Sequence, residues 1–316
     1  IVARVLESAG FKVAILPQPD FHSPLDFKRF GRPRLGFLIT SGNLDSMVNH
    51  YTAAKKPRST DVYSPGGKAG LRPDRATLVY ATRAREAYPG SNIILGGLEA
   101  SLRRFSHYDY WSDKVRRSVL VDSKADLLVY GMAETTIVEI ARRLEAGEKA
   151  GAITDLRGTV FKASAVDQIK VQILPSFEEV SSDKKKFAES FYAQYLNTDP
   201  YSAAALAEKN FDYYLVQNPP ALPLTREEMD RIYALPFTRK PHPSYEQAGG
   251  IPAIEEIRYS LTSSRGCYGA CSFCSLAFHQ GRIIQSRSHD SLVKEAILMT
   301  EDPDFKGYIH DVGGPT

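Results

Sequence analysis

The sequence has 316 residues, of which 43% are hydrophobic, 10% are aromatic and 24% are charged, with 40 basic and 37 acidic side chains for a formal charge of +3. Its length predicts about two domains with cores of their own, and its apolar content excludes a disordered chain. No apolar run approaches the roughly 18 residues of a membrane span, and so small a net charge does not indicate a nucleic-acid or membrane surface.

Residues 1–147 alternate helical and buried-strand patterns, which predict an α/β domain. Strands are predicted at 12–16, 35–40, 93–95 and 127–130, and helices at 45–55, 74–88 and 133–146. This alternation indicates a doubly wound parallel sheet, which favours ligands at the carboxyl ends of its strands. Because a helical pattern precedes every strand pattern, we expect the first strand to be missing and interpret the sequence as a fragment.

Residues 148–250 are less regular and are interpreted as an irregular insert followed by a connector. Strand character is found at 162–173 and a helical pattern at 182–196. The stretch 217–244 is rich in proline, which favours extended segments, and holds one short helix that begins with a capping box, Thr225 to Glu228. We expect an ordered strap between two domains.

Residues 251–316 are expected to contain a strand, a helix and a second strand. A strand is predicted at 258–262, a helix from Ser288 or Asp290 to about Thr300, and a second strand at 308–312. Together these elements make one βαβ unit.

The cysteines follow the first of these strands. Cys267, Cys271 and Cys274 are the only three in the sequence, and they lie within eight positions. A disulfide framework normally uses an even number spread along the chain, so these thiols indicate a reducing compartment, for which we expect the cytoplasm. Three thiolates on a short loop can converge on a [4Fe–4S] cluster. With no fourth cysteine, one iron is left open for a small molecule, as in catalytic metal sites.

The spacing Cys-x3-Cys-x2-Cys between a strand and a helix resembles that of the radical S-adenosylmethionine (SAM) superfamily. Further segments resemble the YgiQ-type radical SAM family, namely residues 10–20, 216–220, 241–245, 265–274, 281–288 and 311–316. The likeness spans the chain, and it implies a cobalamin-binding-like sheet domain, a proline-rich connector and the truncated start of a radical SAM partial barrel.

The resemblance implies a radical SAM enzyme of unassigned substrate, with a [4Fe–4S] cluster held by Cys267, Cys271 and Cys274. SAM would chelate the open iron through its amino and carboxylate groups. One electron entering its sulfonium would then give methionine and a 5′-deoxyadenosyl radical. A flavodoxin- or ferredoxin-like electron donor is expected as the partner.

The resemblance also implies residues for binding SAM. Phe273, just before the third cysteine, resembles the aromatic side chain that packs beside the adenine. Gly313 and Gly314 resemble a glycine motif whose backbone meets the amino group of SAM, and glycine suits such a close approach. The motif usually ends in an acidic residue, but Pro315 stands there in this sequence.

Other interpretations of these residues stay open. A Cys3His zinc site with His279 as its fourth ligand would make the chain a zinc-stabilised binding module without catalysis. Residues 103–117 combine four arginines with four aromatic residues, a pattern that suits single-stranded RNA but also an ordinary helix face. Arg287 would meet an anionic part of SAM or substrate, or pair with an acidic side chain.

Cobalamin is a further cofactor that the resemblance raises. Gly96 and Gly97 end a predicted parallel strand, where a nucleotide or corrin tail could lie. The sequence contains no Asp-x-His-x-x-Gly, the usual cobalamin motif, and glycine at a strand end is more often a tight turn. That motif would usually follow the first strand, which we expect to be missing, so its absence decides little. Cobalamin is a possible cofactor that the residues themselves do not support.

Overall fold

The computed structural model describes residues 1–269 and 271–315. The chain forms two compact units, each assembled from separated segments. The sheet unit contains Pro19–Pro57 and Arg72–Leu222, and the cysteine unit contains Ile1–Gln18, Arg58–Leu71 and Pro223–Thr316. These limits differ from the predicted limits at residues 147 and 250, because strands beyond residue 147 complete the sheet and two N-terminal segments join the cysteine unit.

Helices and strands alternate along much of the chain. The helices are α1 Val2–Ser8, α2 Ser46–His50, α3 Ala76–Ala87, α4 Gly97–Leu102, α5 Val119–Asp122, α6 Glu134–Glu145, α7 Phe177–Ser182, α8 Lys184–Leu196, α9 Arg226–Tyr233, α10 Ile254–Ile257, α11 Leu276–His279 and α12 His289–Thr300. The strands are β1 Phe37–Ile39, β2 Ile93–Leu95, β3 His107–Asp109, β4 Lys114–Arg116, β5 Leu127–Val129, β6 Thr159–Ala163, β7 Val171–Leu174, β8 Ala205–Asn210, β9 Tyr213–Gln217, β10 Ser260–Thr262, β11 Ser264–Arg265, β12 Gln285–Ser286 and β13 Asp311–Gly313.

The sheet unit is built on a seven-stranded sheet in the order β1-β2-β5-β6-β9-β8-β7. The first three strands are parallel, as predicted, and the α/β fold class is confirmed. The rest of the sheet is mixed: β6 is antiparallel to both β5 and β9, and β8 is antiparallel to β9 and parallel to β7. Two residues connect β8 to β9, and so short a connection allows only an antiparallel pair.

The core of the sheet unit lies on β2 and β5. Every residue of these two strands is buried, since both are interior strands of the sheet. Interior parallel strands covered on both faces are apolar without alternation, which explains why the runs at 93–95 and 127–130 were predictable. Residues 12–16, predicted as a strand, have no regular secondary structure.

The cysteine unit contains the predicted βαβ unit. Strands β10 and β13 pair in parallel, and α12 lies between them in the sequence. Tyr259, Leu261 and Met299 form a buried cluster on which Leu292, Ala296, Phe305 and Ile309 pack. Among the described helices, none combines the length and the apolar character needed to cross a bilayer.

The two N-terminal segments are tied into the cysteine unit by hydrogen bonds. The Gln18 amide donates to the Tyr63 carbonyl and the Ser64 hydroxyl, both at 3.0 Å. The segment 58–71 is joined in turn to residues 250–253, through Gly66 N–H to the Gly250 carbonyl at 2.9 Å and Ala253 N–H to the Val62 carbonyl at 3.0 Å.

Candidate functional site

The cysteine loop leaves β11 and returns at β12, and these two strands pair antiparallel at its base. Within the loop, Cys267 N–H donates to the Gly281 carbonyl at 3.0 Å. Gly266 has a φ of +84°, and a Cβ built there would lie 2.1 Å from the Ile283 carbonyl oxygen. Only glycine fits this position, so the chain reaches Cys267 through a turn that its sequence specifies.

Two of the three thiols face the same open side of the loop. A Cβ added to Gly269 would lie 3.3 Å from Cys267 Sγ and 3.8 Å from Cys271 Sγ. Cys274 follows through a turn in which its N–H donates to the Cys271 carbonyl at 3.1 Å. Cys271 is exposed, and Cys267 and Cys274 are half-buried. Because Gly269 has no side chain, the Sγ atoms of Cys267 and Cys271 both border the position that a side chain would occupy. The same loop carries the third thiol, that of Cys274.

The donor set fits an iron–sulfur cluster. Thiolates are the usual ligands of such clusters, and in a [4Fe–4S] cluster each cysteine binds a different iron, so the sulfurs need not surround one point. Within residues 1–269 and 271–315, no three His, Cys, Asp or Glu side chains are grouped closely enough to hold a single metal ion. His279, the fourth ligand of the zinc alternative, is the last residue of α11.

The glycines predicted to bind SAM lie directly beside the start of this loop. Ser263 N–H donates to the Gly313 carbonyl at 2.8 Å. A Cβ on Gly314 would lie 2.1 Å from Ser264 Oγ and 2.9 Å from the Ser264 carbonyl oxygen, so that position admits no side chain without a shift of its neighbour. Phe273 is 91% exposed. Ala270, inside the cysteine loop, and Thr316, which ends the glycine segment, lie outside the described residues.

Helix α9, from the proline-rich stretch, supports both ends of the cysteine loop, which the sequence did not reveal. The Tyr233 hydroxyl accepts a hydrogen bond from Arg265 Nε at 3.1 Å, and the Arg265 guanidinium lies 5.1 Å from the ring centroid. The guanidinium of Arg287 lies 4.3 Å from the same centroid. Such contacts need no local sequence pattern, since Tyr233 is far from both arginines in the chain.

Arg287 is a buried structural residue. Its guanidinium pairs with Glu295 and donates to the Thr262 carbonyl at 3.1 Å and the Ser291 carbonyl at 3.0 Å. Of the two roles left open from the sequence, the structure shows the pairing with an acidic side chain. Nearby, burial opposes ionisation of Asp230, but hydrogen bonds from Ser288 and the charge of Arg287 lower its pKa.

A cobalamin tail, if bound, would lie at the carboxyl edge of the parallel strands, near Gly96 and Gly97. A Cβ on Gly97 would lie 2.3 Å from Thr40 Oγ1, so the segments after β1 and β2 are already in contact. Glu99 of α4 is fully buried and accepts hydrogen bonds from Ser46 N–H at 2.9 Å and Thr77 N–H at 3.0 Å. Arg103 pairs with Glu99 at 3.0 Å.

This network keeps Glu99 ionised. Burial opposes its ionisation, yet the charge of Arg103 and the hydrogen bonds from Ser46 and Thr77 lower its pKa. Between β1 and β2, the edge is therefore filled by the chain's own side chains. These contacts concern only this part of the sheet edge, and we derive no step through cobalamin.

Several side chains of residues 103–117 are buried or make contacts that stabilise the sheet unit. Phe105 is buried, and Arg104 donates to Gln217 at 2.6 Å. Arg116 and Arg117 pair with Asp122 at 3.6 and 2.9 Å. Its four arginines therefore have partners within the sheet unit. Nucleic-acid binding, an alternative that the sequence left open, is not tested by these contacts.

The fold is that of a radical SAM protein. TsrM from Kitasatospora setae, a radical SAM methyltransferase solved with cobalamin and a [4Fe–4S] cluster bound, matches 99% of this chain and 43% of its own, with a TM-score of 0.51 and 16% sequence identity. Residues 1–260 match the family model described as Radical SAM N-terminal, and the chain belongs to that family.

Relatives from clostridia cover the whole chain. UPF0313 proteins of Clostridium botulinum strain ATCC 19397 and Clostridium perfringens strain 13 are each 57% identical to it, over 317 and 318 residues. The alignments cover 100% of this chain and 49% and 48% of those relatives. The chain thus spans about half the length of the curated relatives it matches, and membership of an uncharacterised radical SAM family is confirmed.

Proposed function

We propose that the chain carries the cluster site of a radical SAM enzyme, in which Cys267, Cys271 and Cys274 hold a [4Fe–4S] cluster and leave one iron open for SAM. When bound, the cluster supplies the electron that cleaves SAM to methionine and a 5′-deoxyadenosyl radical. The observation that carries this proposal is the pair of sulfurs, Cys267 Sγ and Cys271 Sγ, at 3.3 and 3.8 Å from the bare side of Gly269. Family membership and the shared fold support it.

The chain's own residues would bind and orient the ligand. The pairing of β11 with β12 fixes the loop base, so the three thiols are presented from one short segment. Phe273 offers an aromatic face that is 91% exposed, on which an adenine ring would stack. Gly314 lies against Ser264, so its backbone approaches the start of the loop closely and is available to the methionine part of SAM.

The test is anaerobic reconstitution of the full-length protein with iron and sulfide, followed by metal analysis and visible and EPR spectra before and after SAM is added. We expect about four irons per chain, as a [4Fe–4S] cluster requires, and spectra that SAM perturbs. Both signals should be lost in Cys271→Ala. Ser272→Ala is the matched control, because Ser272 is an exposed neighbour in the same loop.

Two results would overturn the proposal. Stoichiometric zinc without iron uptake or a response to SAM would leave a metal-stabilised binding module. Equal iron content in Cys271→Ala and the wild type would show that the cluster is held elsewhere. The substrate, and an electron donor of flavodoxin or ferredoxin type, would be sought only after the cluster is established.

A further inference from the structure

Asp311 lies on the polar face of the β10–β13 pair. Leu261 packs with Met299 of α12, so its face of the strand points toward that helix. Neighbouring residues of a strand point to opposite faces. Because Ser260 pairs with Asp311 and Thr262 with Gly313, these four residues occupy the other face, away from α12.

The Asp311 carboxylate lies beside the α-carbon of Gly313. A Cβ built on Gly313 would lie 3.4 Å from Asp311 Oδ1 and 3.6 Å from Oδ2. The carboxylate therefore lies alongside Gly313, one residue before Gly314, which abuts Ser264 at the start of the cysteine loop.

No hydrogen bond or ion pair occupies this carboxylate within the described part of the chain, and Asp311 is exposed. Two other acidic residues near this strand pair, Asp302 and Asp304, both pair with Arg258, at 3.0 and 2.7 Å. Asp311 is thus an unpaired carboxylate beside the glycines, on the strand that pairs with β10, and β10 leads through Ser263 into β11 and the cysteine loop.

We propose that the Asp311 carboxylate accepts a hydrogen bond from the amino group of the methionine part of SAM. The inference rests on the proposed function and extends it by naming a specificity residue. A carboxylate is the natural acceptor for a polarised N–H group, and charge-assisted hydrogen bonds are the stronger kind. Asp311 would supply the acidic group that Pro315 cannot, from two residues before Gly313 instead of two after it.

The test compares two ligands on the full-length, cluster-loaded protein: SAM, and the desamino analogue that keeps the adenosine, sulfonium and carboxylate but lacks the amino group. Dissociation constants are measured by equilibrium dialysis for the wild type, Asp311→Asn and Asp290→Asn. Asp290 is an exposed aspartate in the first turn of α12 and serves as the matched control.

We expect Asp311→Asn to weaken SAM binding by about 10- to 100-fold, the range for a hydrogen bond to a charged group, and to leave binding of the desamino analogue within about twofold. Asp290→Asn should change neither. Unchanged SAM affinity in Asp311→Asn, or an equal loss for both ligands, would overturn the assignment. A wild-type protein that takes up iron but binds no SAM would instead overturn the proposed function.

Discussion

At the residue scale, Gly269 offers a test of the proposed cluster site. A methyl group there would come within 3.3 Å of Cys267 Sγ and 3.8 Å of Cys271 Sγ. Gly269→Ala should therefore leave the thermal unfolding midpoint of the apo protein unchanged, because the loop surface accommodates one methyl group. It should lower the iron content after reconstitution to less than about half that of the wild type, since the methyl occupies the space beside two ligands.

Gly151→Ala is the control for this prediction. A Cβ at Gly151 would meet its nearest atom, the Asp126 carbonyl oxygen, at an ordinary 3.8 Å. Wild-type iron content in Gly269→Ala would show that the cluster does not lie on this side of the loop.

Glu208 makes the stability of the sheet unit depend on pH. Burial raises its pKa to about 7, although hydrogen bonds from Asn210 and Ser106 oppose the shift. Between its unfolded pKa of about 4.5 and 7, the folded chain holds a proton that the unfolded chain has lost. The stabilisation is therefore complete below about pH 4.5 and is lost as the pH rises to 7, by up to about 3 kcal/mol.

Glu208→Gln should remove this dependence. Urea unfolding of both proteins at pH 5 and pH 8 measures it: the variant should lose less stability between these two values than the wild type. Glu255→Gln, at an exposed position of α10, should behave like the wild type. An identical pH dependence in Glu208→Gln would contradict the burial of a protonated carboxyl.

At the scale of elements, α9 holds the base of the cysteine loop through one ring. Tyr233→Phe removes the hydrogen bond from Arg265 but keeps both guanidinium–ring contacts, while Tyr233→Ala removes all three. Buried contacts of this kind contribute about 0.5–2 kcal/mol each. The free energy of unfolding should therefore be highest for the wild type, lower for Tyr233→Phe and lowest for Tyr233→Ala. Equal values for Phe and Ala would show that the ring contacts contribute nothing.

The elements that the sequence revealed are those with local signals. The capping box at Thr225 forms both of its hydrogen bonds, Glu228 N–H to Thr225 Oγ1 at 3.2 Å and Thr225 N–H to Glu228 Oε2 at 2.8 Å. Helix α12 begins after Ser288, whose hydroxyl accepts from Ser291 N–H. Each signal lies within three or four residues, so no long-range information is needed to read it.

Strand β8 shows why other elements were missed. Its sequence ends in Glu208, Lys209 and Asn210, residue types that are depleted in strands. Glu208 and Asn210 are nevertheless buried, because Ser106 donates to Glu208 at 2.8 Å and Asn210 donates to Glu208 at 2.9 Å. A contact between residues 106 and 208 leaves no pattern in either segment, so tertiary bonding overrides the local preference.

The residues of the candidate site also fall into two groups, those that the sequence indicated and those that only the structure revealed. The spacing of the three cysteines pointed to a metal site, and the resemblance to a known family added the paired glycines, because both lie in short segments of the sequence. Tyr233 and Asp311 were not, since the first acts from a distant helix and the second depends on which strand face it occupies. Sequence patterns therefore proposed the candidate site but did not reveal the contacts that support it.

At the scale of the whole molecule, burial predicts two very different rates of hydrogen exchange. All residues of β2 and β5 are buried, whereas Asp311 and Val312 of β13 are exposed. Exchange measured by mass spectrometry on the full chain should be slowest at 93–95 and 127–129 and at least about tenfold faster at 311–313, because protection follows the local opening free energy. Equal protection of the two regions would contradict this distribution of stability.

The cysteine unit combines segments that are far apart in the sequence, and this affects when the unit can fold during synthesis. Residues 1–18 and 58–71 pack with residues from 223 onward, and ribosomes add about 5–20 residues per second. The N-terminal segment must therefore wait about 10–40 seconds of synthesis before its partners exist, while every segment of the sheet unit is complete by residue 222. Residues 1–18 and 58–71 are thus among the last parts of this sequence to be placed, and chaperone capture during translation should concentrate on them.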